Sequence, residues 1–202
     1  MARARSLHWP RALHPDRVRR AQSARRGPVV TARGRVTSAV VITAAAFVLD
    51  QVSKAWALSY LGAERQINLG LGASLRLVFN PGVAFGLGGE FGPALTVGII
   101  GIVAALAAWV LVRAVKERGT FATFLLAVVL GGAMGNVWDR ISRADKGPLS
   151  GEVVDFIAID WFAIFNVADI FTTVGLISFA VVSVASGSKP TSHRASDTPP
   201  TV

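Results

Sequence analysis

The chain has 202 residues, 52% of them hydrophobic, and a formal net charge of +9. A composition this apolar excludes an ordinary soluble domain of this length and indicates a membrane protein. The absence of cysteine excludes disulfides and thiolate metal sites, and the three histidines lie in polar regions near the chain ends. We therefore predict no metal, no cofactor and no histidine-dependent catalytic triad.

The positive charge is confined to residues 1–36, which contain ten arginines and the single acid Asp16. The other 166 residues hold 11 basic and 11 acidic groups and are therefore neutral overall. We interpret residues 1–36 as a disordered cytoplasmic tail next to the first membrane span. A basic tail can bind nucleic acid or anionic lipid. Because this tail lies next to a membrane span, we favour a role in topology and lipid contact.

Four apolar segments are each long enough to cross a bilayer, which takes about 20 residues. They lie at about residues 37–61, 93–115, 121–141 and 166–185. The predicted membrane domain is therefore 37–186, and residues 187–202 form a second disordered cytoplasmic tail. The placement of Lys and Arg predicts that both termini and the second loop are cytoplasmic and that the first and third loops face outward.

The first outer loop has the period-two pattern of a β-ribbon with one apolar face. Gly70 and Gly72 allow a bend or hairpin within it. In the third outer loop, residues 152–159 have the composition of a short strand. The predicted fold is an all-α membrane core of four transmembrane helices with a small extracytoplasmic β-ribbon. The apolar residues of the ribbon fall on odd positions: Ile67, Leu69, Leu71, Leu75, Leu77 and Phe79.

Polar residues in and beside the spans gather at the predicted outer ends, which indicates one site at that membrane face. A carboxylate near a span costs free energy unless it faces protein or water, so it is a functional candidate by default. Asp155 and Asp169 both lie where the chain meets this face, and two such carboxylates suggest paired acid and base chemistry. The other candidates are Asp50, Lys54, Asn80, Asn136, Asp139, Arg140 and Asn166.

Each candidate also has a purely structural interpretation. Asp50 and Lys54 are four residues apart on one helix face, and a self-neutralising ion pair is favoured there over direct catalysis. Asp139 with a nearby cation is more consistent with positioning than with catalysis, whereas Arg140 is able to hold a substrate carbonyl. Asp169 lies in the first turn of its helix, where a capping role is the alternative.

Asp155 alone would be read as a solvated loop carboxylate. Asn166 and Asp169 are one helical turn apart, so both can face one cleft. Gly131 and Gly135 have the spacing of close helix packing, which is a structural role.

Five blocks of sequence, in this order along the chain, resemble those of lipoprotein signal peptidase, the type II signal peptidase of bacteria. The set is specific, although each block alone is weak. The blocks are Asp50-Gln51-Val52-Ser53-Lys54, Asn80-Pro81-Gly82-Val83-Ala84-Phe85, Gly131-Gly132-Ala133-Met134-Gly135-Asn136 with Asp139-Arg140, Val153-Val154-Asp155-Phe156, and Phe165-Asn166-Val167-Ala168-Asp169.

The resemblance implies four transmembrane helices with an extracytoplasmic β-cradle, and an aspartic endopeptidase of the bacterial cytoplasmic membrane. It implies that Asp155 and Asp169 are the catalytic dyad and that Asn80, Asn136, Asp139, Arg140 and Asn166 line or support the site, as do Asp50 and Lys54. The implied substrates are prolipoproteins carrying a diacylglyceryl-modified cysteine, cut just before that residue. We expect a monomer whose active site lies at the outer face, with membrane lipid as its other partner.

Two alternatives remain from the residues themselves. A small transporter would use the carboxylates as a proton or cation relay, but relay residues tend to be spread through the membrane depth. A serine peptidase would use Ser53 and Lys54, but adjacent helix residues point about 100° apart, which is a poor geometry for such a pair.

Overall fold

The structure is a computed structural model that describes residues 31–62 and 65–187. Most of both predicted tails, at 1–30 and 188–202, lies outside these described residues. The first helix begins at Ala32, five residues before the predicted start at Thr37. The guanidinium of Arg35 is buried there and donates to the carbonyl of Ala114 at 2.8 Å, so a charged residue is tolerated inside the helix.

Four helices are long and apolar enough to cross a membrane, as the sequence predicts. They are α1 (Ala32–Tyr60), α2 (Pro93–Val115), α3 (Thr120–Ser142) and α4 (Val167–Gly187). Half of the most apolar stretch of α3 is buried, against 11–22% in the other three helices, so α3 is the central helix of the bundle.

A small antiparallel sheet forms at one end of the bundle, which confirms the predicted fold class. Its strands β1 (Ile67–Gly70), β2 (Ala73–Asn80), β3 (Val153–Ile159) and β4 (Ile164–Phe165) lie side by side in that order. The period-two pattern of the ribbon places Ile67, Leu75 and Leu77, all partly buried, against a core of Ala57, Leu61 and Phe156. Leu69 and Phe79, on the same predicted face, remain exposed.

Leu71 departs from that pattern although it occupies an odd position. It is the first residue of the two-residue turn between β1 and β2, it has φ 53°, and it is fully exposed. The turn geometry overrides the alternation here, because a residue in a hairpin turn points along neither face of the ladder.

The connection from β2 to α2 contains two short 3₁₀ helices, at Ala84–Gly86 and Gly89–Phe91. It begins directly after Asn80, the last residue of β2. Pro93 then provides the first residue of α2, where its fixed φ is compatible with a helix start. This connection therefore runs across the sheet end of the bundle.

Gly131 lets α1 and α3 approach closely in the membrane. A Cβ atom at this position would lie 2.5 Å from the carbonyl oxygen of Thr43 and 2.6 Å from the Cβ of Ala46. Both neighbours are rigid parts of α1, so neither can give way. The predicted packing role of this glycine is therefore present in the structure.

We expect Gly131→Ala to destabilise the protein by about 1–3 kcal/mol, because the added methyl overpacks the contact between α1 and α3. The matched control is Gly101→Ala in α2, where nothing lies within 4 Å of the added Cβ. That change should be neutral or stabilising by up to about 1 kcal/mol, because alanine is the better helix former. Thermal unfolding in detergent measures both, and equal Tm values for the two variants would contradict the packing argument.

Candidate active site

A cavity of about 390 Å³ opens at the sheet end of the bundle and collects most of the predicted site residues. It lies between the sheet, the β2–α2 connection and the helices α2, α3 and α4. Five sequence candidates line it, namely Asn80, Asn136, Arg140, Asp155 and Asp169. The remaining four, Asp50, Lys54, Asp139 and Asn166, are fully buried within the protein. Lys54 and Asn166 directly contact Asn136 and Asp155, respectively, and Asp50 and Asp139 are joined to them through Lys54.

Asp169 is positioned by the way α4 begins. Asn166 precedes the helix, and its side-chain oxygen accepts the backbone N–H of Asp169 at 3.0 Å, while the Asp169 carboxylate accepts the backbone N–H of Asn166 at 3.1 Å. This reciprocal arrangement is a capping box, which satisfies two helix-terminal donors at once. The predicted capping alternative is therefore present, but the same carboxylate also faces the cavity.

Asp155 is positioned by strand β3, and both of its carboxylate oxygens accept amide donors. Asn166 Nδ2 donates to Oδ1 at 2.7 Å and Asn80 Nδ2 donates to Oδ2 at 2.9 Å. Asp155 is only 2% exposed, so the alternative of a solvated loop carboxylate is wrong.

Asn166 joins the two aspartates into one unit. Its side-chain nitrogen contacts Asp155, and its side-chain oxygen and backbone nitrogen both contact Asp169. Asn136 completes the connection, since its Nδ2 donates to Asp169 Oδ1 at 3.0 Å and its Oδ1 accepts from Asn166 Nδ2 at 3.1 Å. Both carboxylates are therefore held in one hydrogen-bonded network around Asn166.

The burial of Asp155 raises the pKa of its carboxyl from 3.8 to about 6. Loss of hydration is the largest cause, and the negative charge of Asp169 adds to it. The hydrogen bonds from Asn80 and Asn166 and the positive charge of Lys54 act in the opposite direction. A carboxyl with a pKa near 6 suits a group that exchanges protons during a reaction.

Lys54 stands behind the cavity and is fully buried with three acceptors around its ammonium group. Asp50 Oδ2 lies at 2.8 Å, Asp139 Oδ2 at 2.9 Å and Asn136 Oδ1 at 2.7 Å from Nζ. The predicted pair of Asp50 and Lys54 is thus part of a larger network. Arg143 supplies a second cation, with Nε 3.2 Å from Asp139 Oδ1, so the two carboxylates face two positive groups.

Arg140 lines the cavity with part of its guanidinium uncommitted. Its Nη2 donates to the carbonyl of Gly82 in the β2–α2 connection. Its Nη1 is buried and makes no hydrogen bond with any of the described residues. A buried donor of this kind is costly unless it finds a partner, so the geometry fits a group that accepts a ligand oxygen.

Sequence reasoning missed several residues of the site. Thr172 follows Asp169 by one helical turn, so helix periodicity was the available signal for it. The aromatic residues share no periodicity, because Phe85 and Phe162 reach the cavity from two different loops and Phe165 from strand β4. Gln51 was also missed, although its side chain donates to Asp50 and to the carbonyl of Gly135. The missed cavity residues include Phe85, Phe162, Phe165, Thr172 and Thr173.

Comparison with protein families matches residues 42–185 to the family described as signal peptidase (SPase) II. Similar proteins are lipoprotein signal peptidases of several bacteria. That of Bifidobacterium longum subsp. infantis is 35% identical over 80% of this chain and 85% of its own length. That of Bifidobacterium adolescentis is 41% identical over 69% of this chain and 72% of its own. That of Mycobacterium leprae is 37% identical over 71% of this chain and 69% of its own.

Two solved structures share the fold. A bacterial membrane enzyme determined by the in meso method at 2.3 Å resolution has a TM-score of 0.61 and 22% identity, covering 82% of this chain and 96% of its own. A second, at 1.9 Å resolution, has a TM-score of 0.57 and 24% identity, covering 74% and 93%. These similarities support the arrangement of four helices and a small sheet.

The raised pKa of Asp155 implies that the stability of the folded protein depends on pH. A carboxyl whose pKa is higher in the folded state binds its proton more tightly there, so the contribution to stability is present at low pH. It is lost as pH rises from about 4 through 6. Asp155→Asn removes this titration, so the Tm of the variant minus that of the wild type should increase between pH 4 and pH 7.5.

The control for this measurement is Asp145→Asn, which changes an exposed carboxylate in the loop after α3. Its Tm difference from the wild type should stay nearly constant over the same pH range. A constant difference for Asp155→Asn as well would show that Asp155 titrates alike in the folded and unfolded chains.

Proposed function

The chain belongs to the signal peptidase II family, and from this premise we propose that it is an aspartic endopeptidase acting on prolipoproteins. It removes the signal peptide by cutting before a diacylglyceryl-modified cysteine. Its substrates are assigned on the names of its relatives, which are lipoprotein signal peptidases. Asp155 and Asp169 form the catalytic dyad.

One observation carries the assignment of the dyad. Asp155 and Asp169 line the same cavity and are bridged by the single residue Asn166. They come from a strand and a helix, elements that hold a side chain more rigidly than a loop does. A single chain contains the complete pair, so the proposed enzyme is active as a monomer.

The chemistry requires one ionised and one protonated carboxyl. The ionised carboxylate takes a proton from a water molecule, whose oxygen attacks the scissile carbonyl carbon. The protonated carboxyl donates to the carbonyl oxygen, giving a tetrahedral intermediate. When the C–N bond breaks, the carboxyl that took the water proton gives it to the leaving amine. The other carboxylate takes a proton from a hydroxyl of the intermediate, so the dyad returns to one ionised and one protonated group. Because the two groups titrate together, neither is assigned permanently as acid or as base.

Arg140 and Asn80 are proposed to hold the substrate rather than to break the bond. The uncommitted Nη1 of Arg140 suits a peptide carbonyl of the substrate. Asn80 donates both to Asp155 and to the carbonyl of Val83 at 3.2 Å, so it ties the β2–α2 connection to the dyad. Apolar neighbours such as Phe85 and Ile99 line the same cavity and suit an apolar signal peptide and its lipid chains.

The alternatives receive no comparable support. The comparisons find peptidases, and none of those described above is a transporter. Ser53 donates its hydroxyl to the carbonyl of Asp50, whereas all three acceptors around Lys54 belong to other residues. Ser53 and Lys54 therefore make no nucleophile–base pair.

We expect Asp155→Asn and Asp169→Asn each to lower kcat by about 10²–10⁴-fold, because asparagine neither accepts nor supplies the transferred proton. The double variant should lose little more than either single one, since each change blocks the same step. Cleavage of a lipid-modified precursor, followed by its mobility on a gel, measures these effects. Substantial residual activity in either variant would rule out the aspartic mechanism.

The matched control is Asp160→Asn, an exposed aspartate after strand β3 that does not line the cavity. It should retain wild-type activity. Within residues 31–62 and 65–187 there is no group of three or more His, Cys, Asp or Glu side chains suited to a metal ion. Chelators should accordingly leave cleavage unchanged, and inhibition by EDTA would contradict the mechanism.

We further propose that the sheet and the dyad lie at the outer membrane face and that both termini are cytoplasmic. The chain has no cysteine, so single cysteines report their location cleanly. Asp145→Cys, in the loop between α3 and β3, should react with a membrane-impermeant thiol reagent in intact cells. Lys116→Cys, in the loop between α2 and α3, should react only after the membrane is permeabilised. The opposite pattern would overturn the proposed orientation.

A further inference from the structure

A second cavity, of about 430 Å³, lies between α1, α2 and α3 and shares no lining residue with the active site. It is a groove with a buried floor and exposed walls. Ala39, Val110 and Ala114 form part of the floor, while Val40 and Leu111 belong to the exposed rim. We call it the α1–α2 groove; its lining also includes Thr43, Ala44, Phe47, Ala107, Leu130 and Met134.

The lining of the α1–α2 groove has no side-chain polar group that needs a hydrogen bond from an occupant. Among its lining residues, Thr43 alone carries a hydroxyl, and that hydroxyl donates to the carbonyl of Ala127 in α3 at 3.0 Å. The surface left for an occupant is therefore purely apolar. A lipid chain, a nonpolar ligand or an apolar protein segment would each satisfy it.

The two ends of the groove differ in character. Toward the sheet end it is closed by Phe47, whose ring meets Trp138 edge to face at a centroid distance of 6.3 Å. At the other end it is bordered by charge, because Arg35 follows the start of α1 and pairs with Glu117 at 2.9 Å. The occupant is thus apolar along its length and polar at one end only.

The length of the groove matches one membrane leaflet. It runs along α1 from Val36 to Phe47, which at 1.5 Å per residue is about 16 Å. Half of the hydrocarbon core of a bilayer is about 15 Å. A span of that length suits one acyl chain lying in a single leaflet of the bilayer.

Basic residues surround the polar end. Arg33 is exposed two residues before Arg35, and Lys116 and Arg118 are exposed on either side of Glu117. Glu117 is already paired with Arg35, so the local charge is positive. Each such cation attracts an anionic lipid headgroup by about 1 kcal/mol near the membrane surface.

From the shape, length and charge of this groove, we infer that it binds one acyl chain of an anionic phospholipid of the cytoplasmic leaflet, with the headgroup on Arg33, Lys116 and Arg118. The inference rests on the proposed topology but not on the proposed catalytic chemistry. Its occupant is a resident lipid, distinct from the substrate in the active-site cavity.

The test uses the purified full chain in detergent, titrated with phosphatidylglycerol or with phosphatidylcholine of the same acyl chains. Native mass spectrometry counts the bound lipids, and thermal unfolding reports their effect on stability. The wild type should bind one phosphatidylglycerol more tightly than phosphatidylcholine. Arg33→Gln with Arg118→Gln should weaken phosphatidylglycerol binding about 30-fold, while Arg65→Gln with Arg76→Gln at the sheet end should not.

Filling the groove tests where the chain lies. Ala44→Leu with Ala107→Leu adds side chains inside the groove, and Ala45→Leu with Ala108→Leu adds the same side chains to neighbouring exposed positions. The first pair should abolish binding of both lipids, and the second should bind as the wild type does. Cleavage activity reports that the variants are folded. If the first pair is inactive, Ala44→Leu alone is compared with Ala45→Leu and should bind more weakly.

Three results would overturn the inference. The first is unchanged lipid binding when the groove is filled. The second is equal affinity of the wild type for the two lipids. The third is a wild-type dimer that only the groove-filling variants convert to a monomer, because the groove would then be an interface between copies of the chain.

Discussion

The ammonium group of Lys54 is the contact on which the rest of the site depends. It is fully buried, and its three acceptors are Asp50, Asp139 and Asn136. Asp50 also accepts the backbone N–H of Ala168, next to Asp169, and Asp139 accepts that of Val154, next to Asp155. One cation thus fixes the backbone beside both catalytic candidates. Removing one partner of such a buried network costs about 3–5 kcal/mol, because a charge is left without compensation.

The same ammonium group decides which way the amides of the site point. Lys54 only donates, so Asn136 presents its oxygen to it and must present its nitrogen to Asp169. The side-chain oxygen of Asn166 likewise accepts the backbone N–H of Asp169. The side-chain nitrogen of Asn166 is therefore the atom that donates to Asp155. Both aspartates therefore receive hydrogen bonds only from donors whose orientation is set by other groups. This is the preorganisation that an acid and base pair requires.

Local patterns were enough to predict much of this architecture. Apolar length located four spans, alternation located the ribbon, and the spacing of Asp50 and Lys54 predicted their contact. The partners that complete the site are not local. Asp139 and Lys54 form an ion pair although they are 85 residues apart in the sequence. Strands β2 and β3 pair although their residues are about 80 positions apart. Strand β4 has only two residues, too few for a periodic pattern. Such contacts depend on how the helices pack, which no short window of sequence specifies.

The position of the site at one end of the bundle is what the proposed chemistry requires. The proposed mechanism needs a water molecule at Asp155 and Asp169, but the carboxyl of Asp155 must also be dry enough for its pKa to lie near 6. In the middle of a bilayer, water would be lacking and the cost of the charges would be far larger. On an exposed loop the pKa would remain near its ordinary value. A cavity between a sheet and the ends of helices provides both conditions. It also lies beside apolar helices, which suits the hydrophobic peptide of the proposed reaction.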